Sequence, residues 1–372
     1  MLHVRRAVAC CGALTVALFS FAGLSLTGTA RAADPAVTSA IAYLDSQQIA
    51  GTTPATTGSG GWDADLTFPF VNSEAVLAIA ESAQTGTVWS PAEALAAVQA
   101  TKNIDGFDPT AALAIMEAGA TSPGSAGKFI VLVAAPLGMD TTALDAAVGD
   151  PNPNGSFATD QFFNNTLYAA LAKKIVDGAV PASTIAYVEG KQLASGGWSD
   201  GFNPDADTDT TSLAVQVLVA GVIAPTDPVV QHALAYIASQ QNADGTWSAF
   251  GSESAESTSR ALLALTATGY DPDSRCWRDT VLPAAAGAPF VGGDPALLSL
   301  ANPDGSIAGP GVYSATFATA QAVQGLERSW LPTARSTSQT CAQEVVATPA
   351  PAAAPGASPA ATPVAVVPAF TG

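Results

Sequence analysis

The sequence predicts an all-α repeat protein built from about six helix pairs. Three observations carry this. A unit of helix, glycine-marked aromatic turn and second helix recurs along the chain. A helix rich in small residues follows each turn. Between Asp34 and Trp330 there is no convincing run of β-branched residues alternating with period two.

The clearest copy of the unit runs from Pro181 to Gly221. A helix is expected over Ala182–Leu193, stopped by Gly196-Gly197, because glycine tolerates the left-handed conformation that ends helices. Trp198 and an acidic loop follow. A second helix is expected to begin near Asp209 or Thr210, residue types that cap helix N-termini, and to stop before Gly221. The grammar repeats. Tyr187-Val188, Gln192 and Gly196-x-Trp198 are matched by Tyr236-Ile237, Gln241 and Gly245-x-Trp247, and, across a longer loop, by Tyr43-Leu44, Gln48 and Gly60-x-Trp62. Weaker turns stand at Asp105-Gly106-Phe107, Asn154-Gly155-Ser156-Phe157 and Asp304-Gly305-Ser306-Ile307. The second helices are expected over 73–83, 110–119, 162–173, 210–220, 257–268 and 316–327. A period of roughly 40–50 residues is that of a helical-repeat architecture.

The ends of the chain differ from this pattern. Residues 1–32 read as a secretory signal, with Arg5 and Arg6, an apolar run from Ala7 to Leu26 and an Ala30-Arg31-Ala32 cleavage site. Residues 33–343 form the repeat domain. Residues 344–372 are Ala/Pro-rich and read as an extended spacer whose final Pro-Ala-Phe-Thr-Gly faintly resembles a cell-wall sorting pentapeptide. Cys276 and Cys341, the two cysteines beyond the signal, are expected to form a disulfide, as an exported pair usually does.

An aromatic and an aliphatic residue, three positions, Gln, a gap and Gly-x-Trp make the Gln–Trp repeat of the squalene and oxidosqualene cyclases and the protein prenyltransferases. The chain resembles that group over about residues 35–330. The resemblance implies an (α/α)6 toroid: two concentric rings of about six helices, usually with a cavity on the axis. It also implies that Gln48, Trp62, Gln192, Trp198, Gln241 and Trp247 are structural staples between repeats. Alanine-rich helices suit such a fold, since small side chains let the two rings approach closely.

The most pointed chemical feature is the acidic loop Asp200, Asp205, Asp207 and Asp209. In class II terpene cyclases an Asp-x-Asp-Asp motif supplies the carboxylic acid that protonates an alkene. Here Asp205-Ala206-Asp207-Thr208 and Asp207-Thr208-Asp209-Thr210 both lack the final Asp, which weighs against proton-initiated cyclisation. So does the fact that those cyclases resemble two such barrels in tandem, with substrates made inside the cell. The cheaper account is that Asp209 or Thr210 caps the next helix. A Ca²⁺ ion held by Asp200, Asp205, Asp207 and Asp209 is a weaker alternative, because their spacing does not match a calcium loop. The zinc set of the prenyltransferases is missing, since His232 is the sole histidine after the signal and falls in a helix expected over 229–240. No cofactor is expected. Carbohydrate chemistry by paired carboxylates could recruit Asp63 and Asp65 with the 205–209 group, although nothing in their spacing selects a pair.

Charge narrows the partners. The full chain has 13 basic and 31 acidic residues, and loss of residues 1–32 would leave ten basic residues and a net charge of −21. Such a surface repels nucleic acid and anionic lipid, so membrane contact is expected only through the signal. If the toroid closes, the N-termini of the second helices, with Ser73/Glu74, Asp209/Thr210 and Ser257/Thr258 as caps, converge on one mouth, where a ligand is expected near Asp63, Asp65, Phe202, Asp207 and Asp209. The resulting expectation is a monomeric exported or cell-wall toroid that binds a small molecule or surface partner without catalysis. The alternative is an isoprenoid or carbohydrate enzyme using Asp205–Asp209.

Overall fold

The computed structural model describes residues 34–330 apart from 68–69, 87 and 159–161. The signal, the Ala/Pro-rich tail and Cys341, hence the expected bridge from Cys276, lie outside the described residues.

Helices alternate between an outer and an inner ring. In chain order they are α1 (Pro35–Ser46), the single turn α2 (Pro54–Thr57), α3 (Val71–Ser82), α4 (Pro91–Ala100), α5 (Thr110–Gly119) and α6 (Pro123–Phe129). A π-helical segment, Ile130–Ala134, then joins α6 to α7 (Ala135–Leu137). The remainder are α8 (Thr142–Val148), α9 (Phe163–Asp177), α10 (Ala182–Gly190), α11 (Thr208–Ala220), α12 (Pro228–Ser239), α13 (Ala255–Ala267), α14 (Arg275–Val281), α15 (Gly293–Leu298) and α16 (Ala315–Glu327). A two-stranded antiparallel hairpin, β1 (Trp247–Ala249) and β2 (Ser252–Ser254), is the one sheet among the described residues.

The inner ring is α3, α6 with its π segment, α9, α11, α13 and α16. Each packs on the next, and α16 returns to α3, which closes the circle. These helices are buried around most of their circumference: every residue of α13 is buried, as is α16 from Phe317 to Leu326. A helix with no solvent face belongs inside. The outer helices are amphipathic. In α1 the buried positions are Val37, Ala40, Tyr43 and Leu44; in α12 they are Val230, Ala233, Leu234, Ile237 and Ala238. Several outer helices start on a cap followed by proline, as in Asp34-Pro35, Ser90-Pro91 and Asp227-Pro228, where the cap side chain accepts a backbone N–H and proline fills a position that needs no donor.

The Gln–Trp residues tie the rings together. The indole N–H of Trp62, Trp198 and Trp247 donates to the carbonyl of Leu44, Val188 and Ile237, at 2.6, 2.7 and 2.8 Å. Each acceptor is the aliphatic residue of the repeat's aromatic–aliphatic pair, so the tryptophan satisfies a carbonyl near the end of its own outer helix. The Gln192 amide donates to Gly196 O and, in the next outer helix, to Val229 O, both at 2.8 Å. Gln241 bonds likewise to Gly245 O and Val291 O, and Gln48 to Gly60 O. The glycine is required for a steric reason as well. Gly196 has φ +91°, and a Cβ there would lie 2.4 Å from the His232 carbonyl oxygen of α12. Gly305, in the last turn, meets Ser39 of α1 in the same way at 2.6 Å, so the final repeat docks on the first.

Two expected boundaries shift. Helix α10 ends at Gly190 rather than Leu193, because the chain turns early to present Gln192. The second helix of the repeat marked by Phe107 is not 110–119. Helix α5 occupies those residues but is amphipathic, burying Ala112, Leu113 and Met116, and it packs beside α2. The turn ahead of it is docked on the first repeat, where Gly51 N–H donates to Asp105 and the Asn103 amide donates to Ile49 and Gly51 carbonyls. The inner-ring place is filled instead by α6 and its π segment, buried from Gly124 to Ala134. An inserted helix in one repeat accounts for the miscounting.

Candidate functional site

All six inner helices run the same way, so their N-termini meet at one mouth, together with the connections 47–70, 101–122, 149–162, 191–207, 240–254 and 299–314. The rim is apolar. Of the exposed large apolar side chains among the described residues, Ile104, Phe107, Phe162, Phe202, Phe250 and Tyr313 lie in these connections, whereas Val88 and Val222 lie at the opposite end. Phe162 and Phe202 meet edge to face at 5.4 Å, and Phe70 stacks on Phe317 at 4.4 Å with Tyr313 edge-on at 5.0 Å. A groove of about 460 Å³ beside Phe202 is lined by Phe163, Tyr187, Lys191, Leu193 and Pro204.

Beneath the rim lies a cluster of buried ions. Glu74, in the first turn of α3, is fully buried; Oε1 accepts from Arg260 Nη2 at 2.9 Å and Oε2 from Gln324 Nε2 at 2.8 Å. Lys128 Nζ, from α6, is 3.4 Å from Glu74 Oε1 and sits over the rings of Phe70 and Tyr168, 5.0 and 5.3 Å from their centroids. Arg260 Nη2 also donates to the Tyr168 hydroxyl at 3.3 Å. Burial pushes the Glu74 carboxyl up, but Arg260 and Lys128 outweigh it and hold the group below its ordinary range. Tyr168 is pushed up to about 12 by burial.

Two further carboxyls feel the Arg260 charge. Asp209, in the first turn of α11, is raised by burial, against the pull of Ser257 and Arg260, and its Oδ1 is buried without a hydrogen-bond partner. Glu256, in the first turn of α13 and 6% exposed, is pushed up to about 7 by burial, with the Asp209 and Glu74 charges adding to it; the Tyr313 N–H donates to its Oε1 at 3.0 Å. Three carboxyls against two cations leave one excess negative charge in a region with little water. Burial therefore favours the protonated form of both Asp209 and Glu256, and the Asp209 charge adds to that push on Glu256.

The acidic loop divides into separate roles. The cap of α11 is Asp207, not Asp209 or Thr210: its Oδ1 accepts the Thr210 N–H at 2.7 Å. Burial and the neighbouring Asp209 charge push Asp207 up to about 7. Asp200 Oδ1 accepts from Phe202 and Asn203 N–H groups and shapes the rim, and Asp205 is exposed. The four therefore do not converge, and among the described residues no group of three or more His, Cys, Asp or Glu is placed to hold a metal ion. Asp63 and Asp65 fold their own loop: Asp63 accepts from Asp65 N–H, and Asp65 from both the N–H and hydroxyl of Thr67. The other expected caps are corrected similarly. Helix α13 is capped by Ser254 rather than Ser257 or Thr258, and α3 has no side-chain cap at Phe70, so Glu74 is free to turn inward. His232 lies on outer helix α12, where its carbonyl meets the Gly196 turn.

Glu256, Arg260, Lys128 and Tyr168 were not selected from the sequence. The signal that was available is a charged residue inside an otherwise apolar or small-residue inner helix, as in Glu256-Ser-Thr-Ser-Arg260 and Gly127-Lys128-Phe129.

The arrangement of rings and staples is that of a terpenoid-cyclase-like α/α toroid. No family's sequence profile matches the chain, and no curated protein matches it. Among solved structures it is similar to the type II terpene cyclase MstE from Scytonema without ligand, with TM-score 0.54 and 15% identity over 79% of this chain and 97% of that one. It is similar also to a variant of that enzyme in complex with geranylgeranyl dihydroxybenzoate as substrate, with TM-score 0.52 and 15% identity over 79% and 96%. The neighbour is thus itself one toroid of this size, which overturns the objection that such cyclases need two in tandem.

Proposed function

We propose that this protein is an isoprenoid cyclase or isomerase that starts its reaction by proton transfer from the Asp209–Glu256 pair. The observation that carries the reading is a pair of buried carboxyls under an aromatic mouth, Asp209 and Glu256, whose ionisation is opposed by burial. That is the requirement for a carboxylic acid to act on an alkene at neutral pH. The final Asp missing from the Asp-x-Asp-Asp pattern is supplied in this reading by Glu256 of the neighbouring inner helix. Proton addition to a terminal alkene would give a tertiary carbocation, which Phe70, Tyr313 and Phe317 are suited to face through their π clouds. Each ring closure exchanges a π bond for a σ bond, and loss of a proton ends the sequence, so substrate and product are isomers. A capping role alone accounts for Asp207 but leaves the inward-facing Asp209 and Glu256 unexplained. Export through residues 1–32 belongs to the same proposal and is tested by N-terminal sequencing of protein from culture medium.

The test is incubation with squalene, geranylgeraniol and prenylated phenols in D₂O, followed by chromatography and mass spectrometry. The expected product has one deuterium at the initiating carbon. Asp209→Asn and Glu256→Gln should abolish it, whereas Asp205→Asn should not. Undiminished turnover in the Asp209→Asn/Glu256→Gln double variant would refute the assignment.

A further inference from the structure

The charges are distributed around the toroid unevenly, and this bears on the head group of the occupant. Of the basic residues after the signal, Lys173 and Lys174 end α9, Arg328 follows α16, and Arg275 and Arg278 open α14, all at the end opposite the mouth. Lys128 and Arg260 lie inside, already engaged by Glu74. Among the described residues, the six mouth connections hold twelve acidic residues and two lysines, Lys102 and Lys191. Lys191 is itself drawn onto the Tyr187 ring, 5.3 Å from its centroid.

An isoprenoid reaching the site must cross this rim. Its chain is suited to Phe162, Phe202 and the Phe70 stack, but a diphosphate head would bring up to three negative charges into an acidic ring. A low-dielectric funnel lined by one sign of charge concentrates the opposite sign and excludes its own. The two interior cations offer little compensation, because both are already engaged by the buried Glu74 carboxylate and drawing either away weakens that pairing.

We infer that the occupant is a polyprenyl chain whose head is neutral or cationic, and that the acidic mouth excludes isoprenoid diphosphates. This rests on the isoprenoid reading proposed above. The test compares binding of geranylgeraniol, geranylgeranylamine and geranylgeranyl diphosphate by calorimetry, at low and high salt. The amine is expected to bind at least about tenfold more tightly than the diphosphate at low salt, with the alcohol between them, and the gap should narrow at high salt as the rim is screened. Asp205→Lys, an exposed rim change, should improve diphosphate binding and leave the alcohol unaffected. A diphosphate that binds as tightly as the amine overturns the head-group inference while leaving the isoprenoid reading in place. Failure of all three to bind overturns both.

Discussion

Glu74→Gln probes the buried cluster most directly. The substitution keeps the shape of the side chain and removes its charge, leaving Arg260 and Lys128 buried in front of a neutral amide. Breaking a buried ion pair from one side costs about 3–5 kcal/mol, because the stranded charge keeps its desolvation penalty. A folded unit of about 300 residues unfolds with an entropy near 0.6 kcal/mol per kelvin, taking about 2.1 cal/mol/K per residue, so the melting temperature should fall by about 5–8 °C. Adding Lys128→Met to Glu74→Gln removes one stranded charge and should recover part of that loss. The assay is calorimetric melting of parent, single and double variants at one pH. A single variant melting within about 1 °C of the parent would show that the cluster is solvated rather than buried, and the argument for raised carboxyls beside it would go with it.

The pH dependence has a stated sign. Glu256 and Asp207 keep their protons in the folded state up to about 7, whereas the unfolded chain releases them near the ordinary values of 4.5 and 3.8. Between those limits the folded state binds more protons, so stability declines as pH rises towards 7. Glu74 acts oppositely, its contribution being lost as pH falls below about 4.5, so melting temperature should peak on the acid side of neutrality. Glu256→Gln should flatten the decline, which a series of melts against pH would reveal. Phe250, 93% exposed, sits at φ +52° with Gly251 at φ +80° in the β1–β2 turn, where asparagine is preferred. Phe250→Asn is therefore expected to stabilise by about 1 kcal/mol while weakening ligand capture at the rim, measured by melting and by calorimetry. Trp198→Phe removes the indole donor that the Val188 carbonyl accepts beside the Lys191 N–H and should cost about 1 kcal/mol; an unchanged melting temperature would refute its role as a staple.

The expected helices show how far reading along the chain reaches. Boundaries of α3, α9, α11, α13 and α16 fall within a few residues of expectation because caps, glycine stops and small-residue runs are local signals. Helix α5 was found at its full length and placed in the wrong ring. Its caps and composition are those of any repeat helix, and only the docking of Asn103 and Asp105 on the first turn shows that it is an addition. The acidic loop was noticed because its residues are close in sequence, yet Asp200 and Asp205 stay outside while Asp209 turns in. The groups that act on it, Ser257 and Arg260, stand in the next inner helix, and Arg260 in turn bonds Glu74 across 186 residues.

What the sequence determined by itself was the repeat, its six turns and the staples, because each is written within ten or twenty residues and obeys backbone sterics. What the tertiary structure alone decided was the charge balance at the centre. Closing the ring brings α3, α6, α11 and α13 together, and burial beside the cations there, not the spacing of aspartates in one loop, determines which carboxyls are raised and which is lowered.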